Sequence, residues 1–215
     1  MKLLKKDLRL ALSPLTPLFL LFSFMALIPR YPILVGAFFV CLGVFYSFQQ
    51  ARAAGDILYT VLLPIRKRDV VRSKFRFTLL FELAGFVLMA LLAALRLLVL
   101  RGVPYEGSPL LAANFTYLSF ALLIFLCFNA VFLGGFFKTA YNFGKPFVFF
   151  TVAAFVLIGV AEALHHFPGL DFLGAAEGPG LLWQLPLLAA AILAFALGTL
   201  LACRRAERRF EALDL

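Results

Sequence analysis

Apolar residues are grouped along the chain into six runs, separated by polar segments of varied length. A membrane-spanning α-helix needs about 20 predominantly apolar residues, and several of the runs approach this length. The pattern therefore predicts an all-α membrane protein with six transmembrane helices in one domain, residues 1–215. The predicted spans are residues 15–28, 33–48, 77–100, 115–137, 147–164 and 185–203.

A basic amphipathic helix is predicted before the first span, at residues 2–12. Its basic face consists of Lys2, Lys5, Lys6 and Arg9, and its apolar face of Leu4, Leu8, Ala11 and Leu12. Such a helix is suited to the headgroup region of an anionic leaflet. A secretory signal is the competing interpretation, and no small-residue cleavage site follows the apolar run to support it.

Composition and charge exclude a soluble or nucleic-acid-binding protein. Of the 215 residues, 64% are hydrophobic and 14% are charged, whereas soluble domains average about 45–50% and 25%. Most of the 20 lysines and arginines lie in the N-terminal helix, in residues 49–76 and 138–146, and in the C-terminal tail. The positive-inside rule places these segments and both termini in the cytoplasm. We expect a multi-pass protein of the plasma membrane, bacterial in origin.

Polar side chains inside the predicted spans are candidates for function, because they are costly in hydrocarbon. For Glu82 we favour pairing with a cation at the cytoplasmic edge, such as Arg76 or Lys138, over a role in a substrate path or gate. Asn129 is interpreted first as an interhelical hydrogen-bond residue and second as a ligand contact. Arg96 is expected to reach the outer headgroups.

Two histidines near the outer end of the fifth span invite a zinc interpretation. His165 and His166 are adjacent, with Glu162 and Asp171 nearby. Neighbouring positions on a helix point about 100° apart, so the two rings would not share one face. We therefore expect a polar extracellular cap and no metal site. No defensible pair of nucleophile and base is present, so no catalytic residue is assigned.

Residues 49–76 contain two short helical pieces separated at Pro64. Asp56 is a plausible N-cap for the first piece, and the second piece carries a run of basic residues into the third span. The apolar stripe of the first piece consists of Ile57, Leu58, Val61 and Leu62. An interfacial elbow that anchors the third span through its cations and a helix that docks on a partner are both consistent with this pattern.

The sequence LLPIRKRDVVRSKF resembles a signature of small ABC-2-type transporter permeases. The matching positions are Leu63, Pro64, Ile65, Arg66, Lys67, Asp69, Val70, Val71, Ser73 and Lys74. The preceding stretch AGDILYTVL and the basic loop FFKTAYNFGKPF are similar to the corresponding regions of that family. The predicted topology resembles the family over the whole chain.

The resemblance implies a permease subunit that pairs with a second copy or a sister permease and with separate nucleotide-binding ATPase subunits. No phosphate-binding GxxxxGK[ST] motif is present, so ATP and Mg belong to the ATPase and this chain binds no cofactor. The implied coupling helix runs from Asp56 to Asp69, through Leu63, Pro64 and Ile65. Its buried anchors would be Leu58, Val61 and Leu62, and its rim charges Arg66, Lys67 and Arg68.

The family consists mostly of exporters, so the resemblance implies export. The Phe-rich apolar runs suggest an amphipathic or hydrophobic cargo, such as a peptide, lipid or drug. One departure is that Gln49, Gln50 and Arg52 stand where the family often has acidic residues. Two other classes stay open, a non-transporting membrane scaffold or regulatory subunit, and an intramembrane enzyme that uses Glu82 or the His165–His166 pair.

Overall fold

The computed structural model describes residues 2–56, 60, 65–100, 110–139 and 142–213, and every regular element in these ranges is helical. The main helices are α1 (Lys2–Lys6), α2 (Leu15–Leu20), α3 (Val35–Ala53), α4 (Lys67–Leu98), α5 (Phe115–Cys127), α6 (Gly134–Thr139), α7 (Gly144–Leu164), α8 (Gly178–Trp183) and α9 (Leu185–Glu211). The chain also contains segments whose helical turns are wider or tighter than those of an α-helix. These are the π-helical segments Asp7–Ala11 and Phe128–Leu133 and the 3₁₀ helices Leu21–Leu27 and Asp171–Gly174.

Four helical segments in the described part of the chain are long and apolar enough to cross a membrane. They are Lys67–Leu98, Phe115–Thr139, Gly144–Leu164 and Gly178–Glu211. The third to sixth predicted spans are therefore confirmed as helices of suitable length and composition. The first prediction corresponds to the shorter apolar helix Leu15–Leu27. The second corresponds to α3, whose last residues are polar, so the count of six spans stays a prediction.

Two helices continue beyond the predicted spans at their charged ends. The third span was predicted from residue 77, and α4 begins ten residues earlier, at Lys67, after Arg66 in an extended conformation. This agrees with the second helical piece, which was predicted to run from Ile65 into the third span. The sixth was predicted to end at residue 203, but α9 continues to Glu211. The first extension is rich in Arg and Lys and the second in Arg and Glu, which have high helix propensity without being apolar. Apolar patterning finds only the part of such a helix that lies in the membrane.

The N-terminal helix has the predicted amphipathic character. Leu4, Leu8 and Leu12 pack against the hydrophobic core, whereas Lys5 and Arg9 are exposed. We call the bundle end that holds α1, the start of α4 and the end of α9 the basic end. At the opposite end, Asn114, which caps α5, donates a hydrogen bond to the carbonyl oxygen of Leu173 at 2.8 Å.

The rod formed by α5, the π-helical segment and α6 is the central element of the bundle. Of its most apolar window, 67% is buried, against 22% for α7 and for the segment that contains α9. Its Phe128 and Phe132 rings stack with centroids 4.7 Å apart, and Phe48 of α3 packs edge-on against both Phe132 and Phe136. Many phenylalanine rings therefore fill the interior, which weakens the argument from Phe content to a hydrophobic cargo.

Close approach of α2 and α3 leads to a stability prediction at Gly43. A Cβ atom there would lie 2.7 Å from Phe19 Cβ and 3.1 Å from the carbonyl oxygen of Thr16. Because a backbone atom cannot yield as a side chain can, we expect Gly43→Ala to destabilise the protein by about 1–3 kcal/mol. Thermal unfolding in detergent measures the effect.

Gly159→Ala is the matched control for this substitution. Gly159 lies in α7, and a Cβ there meets nothing within 4 Å. Ala is a better helix former than Gly by up to about 1 kcal/mol, so the midpoint of unfolding should stay the same or rise. Equal loss of stability in both variants would contradict the packing of α2 against α3.

Candidate functional site

Four charged side chains meet at the basic end of the bundle. Lys74 Nζ of α4 lies 2.8 Å from Asp7 Oδ1 and 2.8 Å from Asp56 Oδ2. Lys6 Nζ lies 2.7 Å from Asp56 Oδ1. We call these four residues the basic-end network. It connects the N-terminal helical segment, the start of the predicted coupling segment and α4.

Neutral side chains complete the hydrogen bonding of the basic-end network. Ser73 Oγ donates to Asp7 Oδ2 at 2.6 Å. Thr60 Oγ1 accepts from Lys6 Nζ and donates to the carbonyl oxygen of Asp56, both at 2.5 Å. Asp7 is 1% exposed and Lys74 is 4% exposed. Each carboxylate oxygen of Asp7 thus has a donor, as a buried charge requires.

The network is electrically balanced, with two lysines facing two aspartates. Charges removed from water are tolerated only when they are paired and hydrogen-bonded, and loss of one partner leaves the others uncompensated. Burial alone raises the pKa of the Asp56 carboxyl. The charge of Lys74 and the hydrogen bonds from Lys6 and Lys74 outweigh this, so that the pKa lies below its usual value. Asp56 is therefore held ionised.

Sequence analysis did not predict the basic-end network. From the sequence, Lys74 was identified only as the last position of the permease signature, and Asp7 was given no role. One signal was present, because Asp7 is the only acidic residue in the predicted N-terminal helix. Its partner, at a separation of 67 residues, cannot be chosen from one sequence when many lysines and arginines are available.

The described residues of the predicted coupling segment contact the rest of the chain in several places. The predicted anchors Leu58, Val61 and Leu62, together with Leu63 and Pro64, lie outside the described residues. Ile65 packs against the core, while Arg66 and Asp69 are exposed. Lys67 donates to the carbonyl oxygen of Leu213, and Arg68 forms an ion pair with Glu211. The Asp56 carboxyl, proposed as an N-cap, is bound by Lys6 and Lys74.

A second polar cluster lies deeper in the bundle, where α4, the π-helical segment and α9 meet. Asn129 Nδ2 donates to Glu82 Oε2 at 2.8 Å and to Thr199 Oγ1 at 3.3 Å. The interhelical role expected for Asn129 is confirmed. Glu82 and Asn129 are fully buried, and their Oε1 and Oδ1 atoms have no hydrogen-bond partner in the described part of the chain. π-helical segments occur often at functional sites.

The predicted pairing of Glu82 with Arg76 or Lys138 is wrong. No ion pair of Glu82 occurs within the described ranges, and its carboxylate accepts a hydrogen bond from Asn129. Arg76 stands six positions earlier, about 240° around the helix, so the two side chains leave α4 in different directions. Arg76 is exposed, whereas Glu82 faces the bundle interior.

The prediction that Arg96 reaches the outer headgroups is also wrong. Arg96 is 8% exposed, and its Nη1 donates to the carbonyl oxygen of Ala26 at 3.0 Å. Ala26 belongs to the 3₁₀ helix Leu21–Leu27, where the backbone turns out of α-helical geometry. The guanidinium thus binds an interior carbonyl that the sequence does not reveal.

The predicted polar cap forms a folded layer. Glu162 Oε2 accepts from the backbone N–H of Leu111 at 2.8 Å. The His165 and His166 rings lie with centroids 4.1 Å apart, because α7 ends at Leu164 and the backbone then turns. No group of three or more His, Cys, Asp or Glu side chains that could hold a metal ion occurs among the described residues.

Most of the chain corresponds to a known protein family. The family described as ABC-2 family transporter protein has a model that matches residues 2–202. The chain belongs to the ABC-2 transporter family. The resemblance seen in the sequence is thereby confirmed, and the chain is an ABC-2-type permease and a multi-pass membrane protein. Comparisons with curated proteins and with solved structures gave no match.

Membership in the family indicates the kind of partner. ABC-2 membrane proteins are the membrane components of transporters, are generally not catalytic themselves, and work with ATP-binding subunits. The basic-end network of this ABC-2 permease therefore lies in the part of the chain that precedes and begins α4, next to the segment expected to meet such a subunit.

Lys74→Met should destabilise the permease strongly, because Asp7 and Asp56 then lose the lysine that pairs with both of them in a buried site. Removal of one partner of a buried ion pair lowers the free energy of unfolding by about 3–5 kcal/mol. The midpoint of thermal unfolding in detergent measures the loss. Lys5→Met removes an equal charge from an exposed position and should change the midpoint little. Equal effects of the two variants would mean that the network carries no stability.

The lowered pKa of Asp56 predicts a specific pH dependence. A carboxyl with a depressed folded-state pKa contributes stability above its unfolded-state pKa of about 4 and loses it as the pH falls through the folded-state value. We therefore expect the difference in unfolding midpoint between wild type and Asp56→Asn to be constant near neutral pH. It should shrink below about pH 4. A difference that grows on acidification would contradict an ionised Asp56.

Proposed function

We propose that this permease is the transmembrane subunit of an ATP-binding cassette exporter. It couples ATP hydrolysis in a separate nucleotide-binding subunit to export of an amphipathic or hydrophobic substrate, such as a peptide, lipid or drug. It acts as a dimer, with a second copy or a sister permease. The proposal includes six membrane crossings, with both termini on the cytoplasmic side of the plasma membrane.

The direction of the helices supports six crossings. Leu15–Leu27 and α3 are joined by a short turn and pack antiparallel, with Thr16 Oγ1 donating to the Gly43 carbonyl oxygen at 2.6 Å. The Leu15–Leu27 segment extends from the basic end to Ala26, which receives Arg96 from the far part of α4. These two segments therefore run alongside the long helices. An even number of crossings accounts for the meeting of α1 and the end of α9 at the basic end.

The observation that carries the coupling proposal is the position of Lys74 between Asp7 and Asp56. A coupling segment must transmit a displacement at the ATPase surface to a membrane-spanning helix. Asp56 begins the proposed segment, and Lys74 is part of the same continuous helix, α4, as the membrane-spanning residues. Because the ion pairs are buried, relative movement of the two parts would expose them at high cost, so they should move as one body.

Contacts to the C-terminal end extend the proposed coupling surface to α9. Arg68 pairs with Glu211, and Arg72 Nε lies 2.7 Å from Glu207 Oε1. A push on the segment before α4 would therefore act on α4 and α9 together. Arg66, which is exposed and extended, is the rim charge that we expect to contact the ATPase directly.

Glu82 and Asn129 are proposed as a gate or substrate-path element. Their cluster joins α4, the π-helical segment and α9, which would have to separate if a path opened between them. The two oxygens, Glu82 Oε1 and Asn129 Oδ1, have no partner among the described residues and are suited to hydrogen bonding with a polar group on a substrate. This supports a polar group on an otherwise apolar cargo.

The proposed function is tested by purifying the tagged full chain from its native membrane and assaying ATPase activity in the eluate. We expect an ATP-hydrolysing subunit to co-purify at about one per permease chain, and Leu62→Glu to release it, since a charge at a proposed apolar anchor would disrupt the interface. Ala212→Glu introduces the same charge at an exposed position at the basic end and should retain the subunit.

Two outcomes would overturn the proposal. If wild type purifies without an ATP-hydrolysing partner, the permease does not work as an exporter subunit and a scaffold role replaces it. If Leu62→Glu and Ala212→Glu behave alike while both remain folded, as judged by monodisperse elution, the coupling segment is not the docking site.

A further inference from the structure

A cavity of about 380 Å³ lies between α4 and α9 at the basic end. Three arginines and one glutamate contribute its charged side chains, namely Arg72, Arg76, Arg204 and Glu207. The coupling proposal uses the Arg72–Glu207 pair and the Glu82 cluster includes Thr199, but neither assigns an occupant to this cavity. Its position near the charged ends of two membrane helices places it at the level of the headgroups.

The charged side chains of the cavity differ in whether they are paired with one another. Glu207 is engaged by Arg72, whose Nε and Nη2 atoms lie 2.7 and 3.3 Å from its two oxygens. Arg76 and Arg204 are exposed and form no ion pair or hydrogen bond within the described ranges. The cavity therefore presents two uncompensated guanidinium groups, which favour an anion with several oxygen acceptors, such as a phosphate.

The remaining wall of the cavity is apolar and opens onto the membrane. Phe75 and Leu79 of α4 face Leu200 of α9 across it. Towards the membrane, α4 exposes Leu80 and Leu83, and α9 exposes Leu197 (46, 49 and 60% exposed, respectively). An occupant thus meets cations at one end and a continuous apolar surface at the other, which is the chemistry of an amphipathic anion.

We propose that this cavity binds the phosphate headgroup of one anionic phospholipid from the cytoplasmic leaflet. Arg76 and Arg204 bind the phosphate, and the acyl chains lie along the exposed leucines of α4 and α9. The proposal does not depend on the ATPase or on the transported substrate. A free phosphate would use the same two arginines but would gain nothing from the apolar wall, so the lipid is the source we favour.

The innermost polar group of the cavity links the lipid to the buried cluster. Thr199 lines the cavity, and its Oγ1 accepts the hydrogen bond from Asn129, which in turn binds Glu82. Occupancy by a lipid therefore holds α4 and α9 at a fixed spacing beside the cluster that joins them. The bound lipid acts as a structural component of the α4–α9 contact.

The test counts lipids retained by the purified full chain in native mass spectrometry. The chain is equilibrated in micelles in which phosphatidylglycerol replaces increasing fractions of phosphatidylcholine with the same acyl chains. We expect wild type to retain one phosphatidylglycerol in preference to phosphatidylcholine. The variant Arg76→Gln/Arg204→Gln should lose this preference by roughly thirtyfold, since each arginine near a membrane surface strengthens binding of anionic lipid severalfold.

Two controls separate the cavity from general surface charge. Arg205→Gln/Arg208→Gln removes the same charge from α9 at exposed positions that do not line the cavity, and it should retain the lipid as wild type does. Leu200→Trp fills the cavity without changing charge and should weaken retention. The proposal is overturned if wild type shows no preference, if both arginine pairs have equal effects, or if Leu200→Trp binds normally.

A third arm distinguishes the lipid from a free anion. An excess of inorganic phosphate is added to the complex of wild type with phosphatidylglycerol. We expect the lipid to remain bound, because the apolar wall contributes to its affinity. Complete displacement by phosphate would mean that the cavity is an anion site without lipid character, and would contradict the proposal.

Discussion

The burial of Lys74 between two aspartates is the interaction on which the basic end depends. Lys74 is 4% exposed, and a buried ion pair is stable only while its partners stay within hydrogen-bond distance. Asp7 and Asp56 come from two different segments, so this single requirement fixes the N-terminal helix and the segment after α3 against α4. Apolar packing alone would allow such surface helices to slide, whereas ion pairs in a dry site define one position.

A second constraint lies eight residues further along α4, at Glu82. Eight residues of helix span about 12 Å, so Lys74 and Glu82 mark two levels of the same rod. The first level joins α4 to the cytoplasmic segments and the second joins it to the π-helical segment and α9. Because α4 is continuous from Lys67 to Leu98, a change at one level is transmitted along a stiff element to the other.

Much of the fold follows from the sequence, because membrane helices are defined by length and apolar composition. The four segments long enough to cross a membrane, the amphipathic N-terminal segment and the interhelical role of Asn129 could all be predicted. The charged end of α9 could not, since its last turns carry no apolar signal. The partners of Asp7, Glu82 and Arg96 could not either, because each lies on a distant segment and one sequence does not indicate which distant residues meet.

The π-helical segment Phe128–Leu133 limits which deletions the central rod can tolerate. A π-turn accommodates one residue more than an α-turn, which offsets the faces of α5 and α6 by about 100° relative to an uninterrupted helix. Phe136 and Phe137, which pack against Phe48 and Phe210, depend on that offset. Removing a single residue here would rotate all of α6 and turn its rings away from their neighbours. At this point of the central rod, chain length is constrained more tightly than side-chain identity.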